Sequence, residues 1–115
     1  ACENIESVYI HNGIIEIGKR AFNACTNLET VILPATLVFI DDDAFRMTGI
    51  KEITIPSSVR EMGWYVFEHC QLTSVTFENP DNVQLVEFKD FKIDKKTGAV
   101  TVNMPALSVV TLEIL

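Results

Sequence analysis

At 115 residues, 48 % hydrophobic and 22 % charged, the chain is long enough for one core with a small appendage and too apolar for a disordered segment. A formal charge of −7 opposes a phosphate backbone and speaks against a nucleic-acid partner. No apolar run nears the roughly 18 residues that a membrane span requires.

The first element from the N-terminus is Ile5-x-x-Val8-x-Ile10. It recurs as Leu28-x-x-Val31-x-Leu33, Ile50-x-x-Ile53-x-Ile55 and Leu72-x-x-Val75-x-Phe77, at offsets of 23, 22 and 22. Val8, Ile10 and their column-mates alternate with Tyr9, Ile32, Thr54 and Thr76, the period of a strand with one buried face. A unit this short cannot bury its own apolar side and must lie against the next one. The predicted architecture is therefore a solenoid, with a parallel sheet of stacked strands at about 4.8 Å spacing.

Further columns keep the same register. Ile14, Leu37 and Val59 align, as do Ile17, Ile40 and Met62, and Pro34 and Pro56 follow their strands. Ala21-Phe22, Ala44-Phe45 and Val66-Phe67 align as well. This last segment reads as a short helical turn that carries the chain back, with the small residue allowing close packing and Phe filling the centre. The single length change falls in one place, where Thr26-Asn27 is replaced by the lone Gly49 or Gln71. A loop tolerates such a change and a core column does not.

Cys2, Cys25, Thr48 and Cys70 share one column. Their spacing fits neither a zinc site nor a CxxC motif. The expected arrangement is a stack of small side chains with three free thiols. Cys2 and Cys25 are close enough for a disulfide, but parallel Cβ vectors disfavour one, and Cys25 and Cys70 are two turns apart.

The run Leu28-x-x-Val31-x-Leu33-Pro34-x-x-Leu37-x-x-Ile40-x-x-x-Ala44-Phe45, repeated from Ile50 to Cys70, resembles the BspA-type leucine-rich repeat. The resemblance covers residues 1 to about 80. It implies a bacterial surface or secreted protein, extracellular in location and often built as a long array. Its implied function is non-catalytic protein binding or adhesion, to host matrix or to another cell-surface protein. It supplies no catalytic residues and no cofactor. Cys2 already occupies the column of Cys25, so the array is expected to extend beyond the N-terminus, and Ala1-Cys2-Glu3-Asn4 carries none of the features of a signal peptide.

After Phe77 the register stops, since the position one period after Val59 is Asp81 and no Ala-Phe pair follows. Residues 1–80 are thus read as the solenoid, about three turns and a fourth strand. Residues 81–115 are read as a β-strand tail, a capping or unrelated appended segment. In it, Val86-x-Phe88-x-x-Phe91-x-Ile93, the turn Asp94-Lys95-Lys96-Thr97-Gly98 and Val100-x-Val102 predict a hairpin. With the run Val109 to Leu115, the tail forms a β-hairpin or three-strand cap. The stretch Val86-Glu87-Phe88-Lys89-Asp90-Phe91 followed by Val100 to Glu113, with its Pro105-x-x-Ser108-Val109-x-x-Leu112 core, is similar to the C-terminal strands of α-L-arabinofuranosidases. That likeness implies the alternative function, an accessory non-catalytic region of a carbohydrate-active protein.

Catalytic and metal chemistry find little support. Asp41-Asp42-Asp43 lacks the spaced ligands and Gly of a calcium loop and reads as a solvated turn capping the segment at Ala44. His11 and His69 stand in different columns without partners at ligand spacing. Ser57, Ser58 and Ser74 have no His and Asp arranged around them. The candidate binding face is the outward side of the sheet: Tyr9, Ile32, Thr54 and Thr76, with Glu29 and Lys51 beside them. Trp64 and Tyr65 stand where the repeat has Lys19-Arg20 and Asp42-Asp43. They are an interface anchor, a sugar platform, or a cover for the joint with the tail.

Overall fold

The computed structural model describes residues 2–78 throughout, together with the strands Glu87–Phe88, Phe91–Ile93, Val100–Val102 and Thr111–Ile114. Four strands stand at the recurring apolar motif: β1 (Ser7–Tyr9), β3 (Thr30–Ile32), β5 (Glu52–Ile55) and β7 (Ser74–Phe77). A second strand follows in each turn: β2 (Glu16–Ile17), β4 (Phe39–Ile40) and β6 (Glu61–Met62). The tail adds β8 (Glu87–Phe88), β9 (Phe91–Ile93), β10 (Val100–Val102) and β11 (Thr111–Ile114).

The period fixes the pairing. Val8 lies beside Val31 and Ile53 beside Val75, both pairs parallel. In the second sheet, Ile17, Ile40, Met62 and Phe88 fall in register in the order β2-β4-β6-β8, also parallel. The tail extends both sheets, because β8 pairs with β6 and β11 pairs in parallel with β7. The strands β9 and β10 pair antiparallel, with Phe91 opposite Val102. The proposed turn Asp94–Gly98, Pro105 and the Ser108–Val109 core lie outside the described residues.

The columns expected to be buried are buried in the second and third turns. Leu28, Leu37, Ile40, Ala44, Phe45, Ile50, Val66 and Phe67 are all fully enclosed. Along the centre Phe22, Phe45 and Phe67 stack, with ring centroids 5.3 and 5.8 Å apart and planes within 5° of parallel. Phe45 is sandwiched on both faces, whereas Phe22 is only partly buried.

The returning segment is a series of hydrogen-bonded turns, and no helix occurs among the described residues. The amides of Asn23, Arg46 and Glu68 donate to the carbonyl three residues back. Alternate amides instead reach across to the next turn: Arg20 to Asp42, Phe22 to Ala44 and Ala24 to Arg46, then Asp43 to Trp64, Phe45 to Val66 and Met47 to Glu68, at 2.8–3.0 Å. This sideways donation explains why the helix does not propagate. It requires two left-handed residues per turn, and these fall in fixed columns: Arg20, Asp43 and Tyr65, then Ala24, Met47 and His69, all with φ between 58° and 64°. Such φ values cost a non-glycine residue about 1–2 kcal/mol, which the bonds between turns offset.

The cysteine column departs from expectation. Cys2 and Cys25 form a disulfide, with Cα atoms 5.1 Å apart, and Cys70 is the free cysteine, buried. One step along the stack brings two Cα atoms within the range of about 4.4–6.8 Å that a disulfide spans. The expectation of free thiols assumes strictly parallel Cβ vectors, and the formed bond shows that those of Cys2 and Cys25 depart from that. In the same column one step on, Thr48 Oγ1 and Cys70 Sγ lie 3.1 Å apart, and Cys70 Sγ donates to the Phe45 carbonyl at 2.9 Å. Burial pushes the Cys70 thiol above its ordinary value of 9.0, against the lowering effect of its bonds to Thr48.

Candidate functional site

The period that builds the first sheet does not close it. β1 pairs with β3, and β5 pairs with β7 and through it β11, but no ladder joins β3 to β5. The second sheet and the turn ladder run past the same point without interruption. The break coincides with the one change in loop length. The loop entering β3 holds Thr26 and Asn27, and Asn27 donates from its side-chain amide to the Glu3 carbonyl. The loop entering β5 holds only Gly49, and a Cβ there would lie 2.9 Å from the Thr26 carbonyl oxygen and 3.3 Å from that of Leu28.

A crevice of about 590 Å³ runs across β3, β5 and β7 and spans this break, within the range of roughly 300–1,000 Å³ typical of binding pockets. Buried Val31, Leu33 and Ile53 are among its lining residues. Of the residues read as a binding face, Glu29, Ile32, Lys51, Thr54 and Thr76 border it. Glu52 and Glu78 stand on the same rim, so three carboxylates face one ammonium. Tyr9 lies outside the crevice but pairs with Ile32 in register, and the two are 67 % and 52 % exposed. They form one apolar surface on neighbouring strands.

Trp64 and Tyr65 do not join this site. They sit in the turn ladder after β6, half-exposed, with ring centroids 6.0 Å apart. The Trp64 amide donates to Asp42 Oδ1 at 2.7 Å, and its carbonyl accepts from Asp43. The Asp41-Asp42-Asp43 run is thus committed to the backbone and to cations. Asp41 Oδ1 accepts from the Asp42 amide, and the Asp43 carboxylate lies 3.7 Å from Arg20 and 4.0 Å from Arg46. Arg46 in turn bonds Glu68 at 2.9 Å. Among the described residues no cluster of His, Cys, Asp and Glu is arranged to hold a metal, and no helix is long and apolar enough to cross a membrane.

The crevice itself is invisible to a reading of the repeat, since the apolar columns continue through it unchanged. The loop-length change is the signal that marks its place. Glu78 and the buried Val31, Leu33 and Ile53 are the site residues that a search for outward-pointing groups passes over.

Residues 1–97 match the family model described as BspA type leucine rich repeat region, in six copies. The match runs past Pro80 into the segment that holds β8 and β9. No curated protein matches the chain. Three solved structures share the fold. A leucine rich cell surface protein from Faecalibacterium prausnitzii aligns with a TM-score of 0.68 at 24 % identity, over 88 % of this chain and 26 % of that one. A leucine-rich repeat protein from Bacteroides ovatus gives a TM-score of 0.68 at 24 % identity, over 99 % and 32 %. A third, from Eubacterium ventriosum, gives 0.61 at 20 % identity, over 96 % and 32 %. The chain spans no more than about a third of these relatives' lengths.

Proposed function

The chain belongs to the BspA-type leucine-rich repeat family, and from that premise we propose that it is a protein-binding module of a bacterial surface or secreted protein, acting in adhesion. The observation that carries this reading is the Tyr9–Ile32 surface beside the crevice. The repeat requires nothing apolar at either position, yet both side chains are large and more than half exposed on adjacent paired strands. Exposed aromatic and aliphatic groups beside a polar rim are the usual composition of a recognition site. An extracellular location has separate support in the Cys2–Cys25 disulfide, since such bonds persist in oxidising compartments. In this reading residues 1–80 present the surface and residues 81–115 close the end of the stack, as repeat arrays require.

Binding of the full chain to immobilised extracellular-matrix proteins provides the test. Saturable binding is expected, with Tyr9→Asp and Ile32→Asp each weakening it by about 30-fold, the effect of losing one anchor of roughly 2 kcal/mol. Both positions are exposed, so the melting temperature should hardly move. Retained affinity in both variants would place recognition elsewhere on the molecule.

A further inference from the structure

The break between β3 and β5 leaves backbone groups facing each other without a ladder. The Thr30 amide donates to the Glu6 carbonyl and the Ile10 amide to that of Ile32, so residues 30 and 32 turn their peptide groups toward β1. By the alternation of a strand, Val31 turns its N–H and C=O toward β5. Likewise, Ser74 donates to the Lys51 carbonyl and Glu78 to that of Ile55, so residues 51, 53 and 55 face β7, and Glu52 and Thr54 face β3. A parallel register of 22 residues would join Val31 to Glu52 and Thr54, and that pairing is not formed.

We propose that this break is a strand-receiving slot, which takes an extended peptide segment of alternating apolar and basic side chains. The proposal rests on the protein-binding reading above and names its mode. Opposed peptide edges recognise an extended backbone, as in strand addition to an open sheet. Side chains of a seated strand alternate between the two faces of the sheet. Those directed inward meet Val31, Leu33 and Ile53, which calls for apolar groups. Those directed outward meet the rim, where Glu29, Glu52 and Glu78 outnumber Lys51, which calls for cationic groups. A strand between two others needs them about 9.6 Å apart, twice the ladder spacing. In the structure β3 and β5 approach within 8 Å, so seating a strand requires the front to part while the second sheet and the turn ladder hold the halves together behind it.

The experiment follows amide hydrogen exchange in the full chain, alone and with an eight-residue peptide of alternating lysine and valine. The amides of Val31, Glu52 and Thr54 should exchange rapidly in the free protein and slow by about tenfold or more once the peptide saturates, corresponding to about 1.4 kcal/mol of protection. A glutamate–valine peptide should give no protection, and the double variant Glu29→Lys, Glu52→Lys should reverse that preference. Protection of the three amides without peptide would show a closed sheet and overturn the slot, as would rapid exchange that neither peptide alters. Failure of the charge reversal would overturn the assigned ligand chemistry. The two readings separate cleanly. If Tyr9→Asp abolishes matrix binding while the peptide leaves the three amides unchanged, the slot fails and the adhesion surface stands; the opposite pattern retains the slot and removes the adhesion reading.

Discussion

The two halves on either side of the crevice are built from the same columns and hold themselves together differently. In the N-terminal half the first turn packs on the second through the β1–β3 ladder. Its core positions Ile5 and Ile14 stay 40 % and 44 % exposed, while their column-mates Leu28 and Leu37 are completely buried. There the cysteine column makes a covalent bond. In the C-terminal half Ile50, Val59 and Phe67 are enclosed, and the same column makes only the Thr48–Cys70 contact. The same column is thus cross-linked in one half and joined by a hydrogen-bond contact in the other.

Phe45 is the point where the two halves share a core, and its loss should have the largest effect. Phe45→Ala removes a completely buried ring stacked on both faces and is expected to destabilise by about 3–5 kcal/mol in denaturant unfolding. Phe22→Ala, which removes a partly buried ring, should cost clearly less; equal costs would erase the difference between the halves. Next comes the covalent bond. Closing a loop of 23 residues stabilises by about 3 kcal/mol in the chain-entropy picture, so the Cys2→Ser, Cys25→Ser variant should lose about that much. Titration of the denatured, unreduced chain should find one thiol, that of Cys70, and three would refute the bond. The smallest effect belongs to Cys70 itself. Its folded-state pKa is raised, so the folded chain holds its proton after the unfolded chain has released it. Its contribution is therefore complete below pH 9.0 and declines as pH rises above that value. Cys70→Ala should flatten the stability profile in that alkaline window, as followed by thermal melts.

The stacked columns could be read directly from the chain because burial in a solenoid follows the period, and Leu28, Leu37, Phe45 and Ile53 are buried where the period puts them. Tyr9 and Ile32 were legible as outward groups for the same reason. Three features obey local geometry that residue type does not encode. The left-handed positions fall on Arg20, Asp43, Tyr65, Ala24, Met47 and His69, where no glycine announces them. The disulfide depends on the Cβ directions of Cys2 and Cys25, which a shared column does not fix. The crevice depends on how a two-residue loop and a one-residue loop pack against each other, and the apolar columns on both sides of it are the same.

The link between Cys2 and Cys25 also has a mechanical consequence. Tension arriving from the N-terminal side passes from Cys2 through the sulfur bridge to Cys25, so the chain between them carries no load. At about 3.5 Å per residue, the 23-residue separation keeps some 80 Å of contour length in reserve. Tyr9 lies within that shielded loop while its partner Ile32 lies outside it, so load reaches the recognition surface from the Ile32 side alone, and only a reductant would release the reserve.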